Sequence, residues 1–395
     1  MKSIYITTLI PIIISINFYK NYSQRYFLLN IKVRYNEFVK KSILIISDLS
    51  SDYGGNYIKS LEAIQSKVFS NDMNVGFVFP IQAQGKEWLK NLKNVFFTDM
   101  TLKGWKSCFL EAKKAINFNI CHFNFFDEIL DVFKSRLMMP KIKLLIFHYH
   151  MSIRFENTFY FFIKKVVYKL AYSRSIKICV SNAVANDVKC FSNKNIIVLQ
   201  NRIDFSRLDI IDKNFSLKGK YNLLIHGNDY FNKGVDIAVK ALENLPDTVN
   251  LNITVSNAKR EALIDFINNS CNCADWNRIN LLESRNDVGT YYSSSNIFLS
   301  LSRHEAFPYA LSEAMYCGCN VIATNIPGQN ENVMPGIIWV GNPNKENIVN
   351  SVVESINNCI HGKAGINASK EWLLANMSID SWSDNILKIY NDYFE

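Results

Sequence analysis

No pair of cysteines in this 395-residue chain has the C-x2-C spacing of a zinc ribbon, and nine cysteines are an odd number that no complete disulfide scheme accommodates. The two C-x-C pairs, Cys271/Cys273 and Cys317/Cys319, have no His-rich partner segment. The expectation is therefore reduced, mostly buried thiols in a cytosolic domain. The longest apolar feature at the start, Ile4 to Tyr19, is a charge-free run of 16 residues broken by Pro11. It falls short of the roughly 17 to 25 residues that a spanning helix needs. Asn17-Phe18-Tyr19-Lys20 offers no small-residue cleavage site, so a cleavable signal peptide is not the expectation. There is no internal repeat or low-complexity tract. No helix-turn-helix, RNP-like or zinc module accompanies the positive charge, so nucleic acid is not an expected partner.

What is present fits a large globular protein. Hydrophobic residues make up 48% and charged residues 20%, enough apolar material for a substantial core. At roughly 150 residues per domain, the length suggests two to three domains. The net charge of +9 is unevenly spread: residues 1–41 carry +6, residues 42–204 carry +9 and residues 205–395 carry −6. Such asymmetry suggests that one half faces an anionic surface. Six of the seven bases of residues 1–41 follow the apolar run, so if it inserts into a membrane, the rest of the chain is cytoplasmic. An over-predicted start site or a peripheral apolar helix is the alternative.

From Ser42 onward, short β-branched runs alternate with helical stretches. Strands are expected at Ser42–Ser47, Val75–Phe79, Asn119–Phe123, Lys143–His148, Ile176–Val180 and Ile196–Leu199. The rhythm restarts at Tyr221–His226, continuing with Leu251–Val255, Arg278–Leu282, Ile297–Ser300, Asn320–Ala323 and Gly336–Val340. Helices are expected at about Asn56–Phe69 and Val235–Glu243. This pattern predicts an α/β protein built from two Rossmann-like, doubly wound domains of parallel strands. A polar stretch from Asp204 to Gly219 links them, and ligands bind such sheets at their strand C-termini, in the cleft between.

The segment from Ser302 to Gly318 follows a buried strand and opens a helix. It carries two carboxylates eight positions apart, Glu305 in the loop and Glu313 one to two turns into the helix, so both can face one cleft. The backbone amides of Phe307, Pro308, Tyr309 and Ala310, less the one that proline lacks, lie at the helix N-terminus, where an anion is favoured. Carboxylates for sugar hydroxyls beside amides for phosphate suit a nucleotide sugar. Acids placed in a first helical turn for dipole reasons alone are the alternative.

The stretch SRHEAFPYALSEAMYCGCNVIATNIPGQNENV resembles the E-x7-E region of the retaining glycosyltransferase family 4, whose fold is GT-B. Further pieces resemble that family in order: the loop Ser47 to Gly55, the strand ends at Ile120–Phe123 and Leu144–His150, the Ile178–Ser181 strand, Leu199–Asp204 and Gly227–Gly234. The resemblance covers about residues 42–340. It implies that Glu313 holds the donor's ribose hydroxyls, that Glu305 holds a donor-sugar hydroxyl, and that the amides of Phe307 to Ala310 touch sugar and diphosphate. Lys233 stands at the family's lysine position and would neutralise the leaving diphosphate, and Leu282 to Asp287 would border the nucleobase. No cofactor and no chelated metal is implied; the chain contains no D-x-D. The leaving group's charge would then be met by cations and helix N-termini.

Two departures stand out. Where the family has Gly-Arg this chain has Gly227-Asn228, which removes a diphosphate cation that an amide does not replace. Arg202 and Arg303 are the candidates to approach the phosphates instead. Pro308 replaces a more usual glycine. Gly54 and Gly55, directly after the first strand, allow close approach of backbone to a diphosphate or acceptor. His148 and His150 share a strand face; the resemblance implies a histidine near the donor sugar here, for which His150 is preferred and His148 second, with a merely hydrogen-bonded histidine as the alternative. His226 and His304 are placed at the cleft, and His361 is incidental. Arg154 to Lys177 holds six bases, one acid and many aromatics, either a helix face lying on anionic lipid or a core helix with solvated lysines.

The expected organisation is an apolar and basic extension (1–41), an acceptor-side domain (42–204), a nucleotide-sugar domain (205–375) and a C-terminal helix returning to the first domain (376–395). The expected activity is transfer of a hexose from a UDP- or GDP-linked donor to a lipid-linked or surface-polysaccharide acceptor such as lipopolysaccharide or capsule, with retention, at the cytoplasmic face of the inner membrane. A nucleotide-sugar epimerase of the same fold and a non-catalytic sugar-nucleotide or glycan-binding subunit are the alternatives.

Overall fold

The structure is a computed structural model that describes residues 41–124, 142–151, 175–190, 192–271, 274–362, 368 and 370–392. The apolar run Ile4–Tyr19 and most of the basic aromatic segment, residues 154–174, lie outside the described residues.

Two parallel sheets organise the chain. The first contains β1 (Ser42–Ser47), β2 (Asn74–Pro80), β3 (Val95–Thr98), β4 (Ile120–Asn124), β5 (Leu144–Tyr149), β6 (Ile176–Cys179) and β7 (Ile196–Val198) in the order β3-β2-β1-β4-β5-β6-β7. The second contains β8 (Tyr221–His226), β9 (Val249–Val255), β10 (Ile279–Glu283), β11 (Ile297–Ser300), β12 (Asn320–Thr324) and β13 (Ile338–Val340) in the order β10-β9-β8-β11-β12-β13. Both are doubly wound, and each order reverses beside its first strand, between β1 and β4 and between β8 and β11. Crevices outside the strand C-termini at such reversals are where ligands bind.

The described α-helices are α1 (Gly55–Ser70), α2 (Leu102–Ile116), α3 (Asn182–Lys189), α4 (Val235–Leu242), α5 (Arg260–Ser270), α6 (Gly289–Ser293), α7 (Ala310–Tyr316), α8 (Ile348–Ile360), α9 (Lys370–Met377) and α10 (Ile379–Asp392). Central strands are buried on both faces, which is why they read as continuous apolar runs such as Ile43–Ile46. The strand with no sequence expectation is β3, a four-residue edge strand of alternating burial lying among turns.

The chain crosses from the first sheet to the second near Ile203 and returns at Ser378, where the two residues form a parallel bridge. The last helix, α10, then packs against α1, with Trp382, Ile386 and Tyr390 in the same core as Ile43, Leu61 and Phe77. A second tie between the two halves is Glu331, whose carboxylate accepts from the backbone N–H groups of Asn182 (2.6 Å) and Ala183 (2.8 Å) at the start of α3. A carboxylate there satisfies free helix amides and meets the positive end of the dipole. The cysteines among the described residues are all free, and Cys108, Cys121, Cys179, Cys271 and Cys319 are buried.

Candidate functional site

The turns that follow β1 and β8 carry Gly54 and Gly55 on one side and Gly227 to Gly234 on the other, and the strand-to-helix loop after β11 carries Glu305. These segments stand at the reversal points of the two sheets, and a cavity of about 240 Å3 between them is lined by Gly55, Arg207, His226, Asn228, Arg285 and Glu313, among others. Tyr53 bridges its rim by donating from its hydroxyl to the Ser284 carbonyl at 2.8 Å. A larger cavity of about 420 Å3, at the chain crossing around Asp204, Asp209 and Tyr316, contains neither glutamate of the E-x7-E pair.

Glu305 is held from two directions. Its Oε1 accepts from the Ser302 hydroxyl at 2.8 Å and forms an ion pair with Lys233. The loop that presents Lys233 is fastened to the same segment: the Arg303 N–H donates to the Asn232 carbonyl at 2.7 Å, and Asn232 donates to the His304 carbonyl at 3.2 Å. Gly234 ends that loop with φ +72°, and a Cβ there would lie 2.3 Å from the Leu301 carbonyl oxygen. Only glycine meets both demands cheaply. Behind Glu305, Gly328 lies so close that a Cβ would come within 2.2 Å of the Glu305 carbonyl oxygen. Buried Gln329 supports β11 and β12 by donating to the Ser300 and Thr324 carbonyls, both at 2.9 Å.

Glu313 lies in the first turn of the seven-residue helix α7 and is only 5% exposed. A buried carboxylate requires donors and a counter-charge, and here it has both. It pairs with Arg207, accepts from the Asn56 side-chain amide, and accepts from the Tyr292 hydroxyl at 3.2 Å. Asn56 also takes the Asp204 N–H at 3.2 Å, so one amide joins α1, the crossing segment and the C-terminal domain's glutamate. Behind Tyr292, His226 lies with Nε2 2.8 Å from the tyrosine oxygen and Nδ1 2.7 Å from the Thr254 hydroxyl. Burial lowers the His226 pKa to about 4, overcoming the opposing pull of Glu313. Desolvation works against the charge on Arg207, but Glu313 reverses this and the net shift is upward.

The remaining expected residues divide. The Asn228 side chain accepts from the Ser256 N–H at 2.8 Å and its carbonyl accepts from Lys259 Nζ at 2.9 Å, so it fastens its loop to the turn after β9. Arg303 was a candidate for the phosphates; its guanidinium is instead committed to both oxygens of Asp236 (2.9 and 2.8 Å) and lies over the Phe231 ring. Arg202 donates to the Asn201 carbonyl at 3.1 Å, and burial lowers its pKa. Phe307 and Pro308 are buried and Tyr309 and Ala310 half-buried where α7 begins, and Asn201 donates to the Phe307 carbonyl at 3.4 Å. Gly54 and Gly55 have local reasons to be glycine: a Cβ on Gly54 would lie 2.5 Å from Ile58, and Gly55 has φ +55°.

His150, at the end of β5, has Nε2 2.9 Å from the Asn124 side-chain oxygen and sits edge-on to Tyr57. It also ends a stack: His150 lies 4.1 Å from His148, and His148 lies 5.5 Å from His122 of β4. His122 in turn has Nδ1 2.7 Å from the Tyr390 hydroxyl of α10. Burial lowers all three imidazoles, His122 and His150 to about 3. They are neutral at physiological pH. His148 belongs to this buried stack, 3% exposed, while His304 is exposed.

Sequence reasoning missed Arg207, Asn56 and Tyr292, whereas Arg285 falls within the segment Leu282 to Asp287 that was expected at the nucleobase. Each of the three missed residues is unremarkable in its local segment, and only the juxtaposition of α1, the crossing segment, α6 and α7 brings them together. Among the described residues, no group of three His, Cys, Asp or Glu side chains is arranged to hold a metal ion.

With this geometry in view, residues 206–372 match the family model for glycosyl transferases group 1. No curated protein sequence matches the chain. Among solved structures, the chain is similar to a glycosyltransferase from Rickettsia africae, at 17% identity and TM-score 0.71 over 91% of this chain and 100% of that one. It is similar to sucrose-phosphate synthase from Thermosynechococcus elongatus, at 14% and 0.71 over 90% and 99%. It is also similar to Anabaena HepE in complex with UDP-glucose, at 16% and 0.69 over 89% and 99%. These likenesses, with the two facing doubly wound sheets, establish a GT-B fold.

Proposed function

We propose that this protein is a glycosyltransferase of group 1, family 4 type, moving a hexose from a nucleoside-diphosphate donor to an acceptor with retention of configuration. The observation that carries this reading is the pair Glu305 and Glu313, eight residues apart in the segment that leads from β11 into α7, each presented with its own cation. Glu313 and the α7 end of the cavity suit ribose hydroxyls, and Glu305 with Lys233 suits the sugar and the leaving phosphate. The complex of Anabaena HepE with UDP-glucose supports a nucleotide-sugar donor. Preorganised cations at the site would stabilise the charge that develops on a diphosphate leaving group.

His150, fixed by Asn124 at the first domain's strand end, is assigned to the donor sugar, and Gly55 lines the cavity. The acceptor is proposed to be a lipid-linked saccharide of surface polysaccharide assembly at the cytoplasmic face of the inner membrane. The +15 carried before residue 205 supports this, as does the apolar, basic extension. Among the described residues, no helix is long and apolar enough to cross a membrane.

Incubation of the purified protein with UDP- and GDP-sugars tests the reading. Slow hydrolysis of one donor, abolished by Glu313→Ala, is expected. A C2-epimerised product, or binding without turnover, refutes transfer.

A further inference from the structure

The cavity is lined by two arginines, and they differ in how they are committed. Arg285 is gripped by Asp287 through both Nε and Nη2 and lies over the Tyr291 ring. Arg207 makes one ion pair, with Glu313, and its Nε is buried with no hydrogen-bond partner among the described residues. Elsewhere at the site Lys233 is paired with Glu305, Arg303 with Asp236, and Asn228 brings no charge. Arg207 is therefore a cation of the cavity wall with hydrogen-bonding capacity in reserve.

Its partner is equally prepared for exchange. Glu313 keeps two other donors, Asn56 and Tyr292, so its carboxylate stays positioned if the guanidinium leaves. Removing one member of a buried ion pair is costly only when the other is left uncompensated. A nucleoside diphosphate compensates both at once: ribose hydroxyls donate to the carboxylate, and phosphate oxygens accept two parallel bonds from the planar guanidinium.

We propose that Arg207 is an exchangeable counter-ion, neutralising Glu313 when no nucleotide is bound and passing to the diphosphate as Glu313 passes to the ribose. This rests on the reading of the cleft as a nucleotide-sugar site, and it assigns to Arg207 the charge that Asn228 does not supply. The exchange leaves neither the guanidinium nor the carboxylate without a partner, whether or not the nucleotide is bound.

Calorimetric titration of the full chain with uridine, UDP, guanosine and GDP tests the assignment. Wild type is expected to bind one diphosphate more tightly than its nucleoside. Arg207→Gln should shrink that preference by about tenfold or more, the equivalent of one charge-assisted hydrogen bond, while nucleoside affinity holds or improves. Should Arg207→Gln fail to fold because Glu313 is left unpaired, Arg207→Gln/Glu313→Gln compared with Glu313→Gln alone reads the same preference without the stranded charge. Equal loss for nucleoside and diphosphate, or an unchanged preference, overturns the exchange and leaves the donor reading standing. Binding of neither UDP nor GDP by wild type overturns the donor reading, and the exchange with it.

Discussion

Acidification should destabilise this protein through its buried histidines well before its carboxylates titrate. His122, His148 and His150 are stacked between the first sheet and α10, and His226 lies under the cleft. Among the described residues, Tyr390, Tyr57, Trp382 and the Asn124 amide face the stack, and none of these four supplies a negative charge to an imidazolium at neutral pH. Each folded imidazole is held far below the ordinary value, so between about pH 6.5 and pH 4 the unfolded chain binds protons that the folded chain does not. Stability is therefore retained above pH 6.5 and lost as pH falls below it. With an unfolded pKa of about 6.5, one such histidine costs about 1.4 kcal/mol at pH 5.5 relative to pH 7.5, and four cost about 5 kcal/mol. That approaches the whole stability of an ordinary domain, about 5 to 15 kcal/mol. Urea denaturation at pH 7.5, 6.5 and 5.5 measures the slope. His148→Phe isolates one contribution, because neither of its ring nitrogens has a hydrogen-bond partner among the described residues. The variant should lose about 1.4 kcal/mol less than wild type over that interval. Equal stability of wild type at pH 7.5 and 5.5, or an unchanged slope in His148→Phe, would refute the reasoning.

Two further outcomes follow from the cleft. Asn56→Asp replaces the donor on Glu313 with a like charge at the same volume and should lower stability by about 1 to 3 kcal/mol with weakened nucleoside binding; an unchanged thermal midpoint and affinity would show that Asn56 does not hold the carboxylate. Gly234→Ala places a Cβ against the Leu301 carbonyl at φ +72° and should cost about 1 to 3 kcal/mol while displacing Lys233 from Glu305; a wild-type urea midpoint would contradict the crowding.

Much of the architecture was legible because central parallel strands announce themselves. Runs such as Ser42–Ser47, Tyr221–His226 and Ile297–Ser300 match the observed bounds, since burial on both faces requires unbroken apolar residues. Edge strand β3 was not legible, because half-burial over four residues leaves little pattern. Within the site, Lys233 stood out through the family resemblance alone, and Glu305 and Glu313 through spacing and position in their segment. Arg303 misled for the same reason: next to Glu305 in sequence it looks available, but Asp236, 67 residues away, claims it.

By itself the sequence determined most of the segments that become strands, and that two carboxylates lie in the loop and first turn leading into one helix. Those properties depend on local pattern and on residues close in the chain. Tertiary structure decided the charge state and partners of the site. The Arg207–Glu313 pair spans 106 residues and the Asn56–Glu313 bond 257, so no local pattern encodes them. Burial, which sets both the cost of a charge and the neutrality of the histidine stack, exists only once α1, α7 and α10 have packed against their sheets.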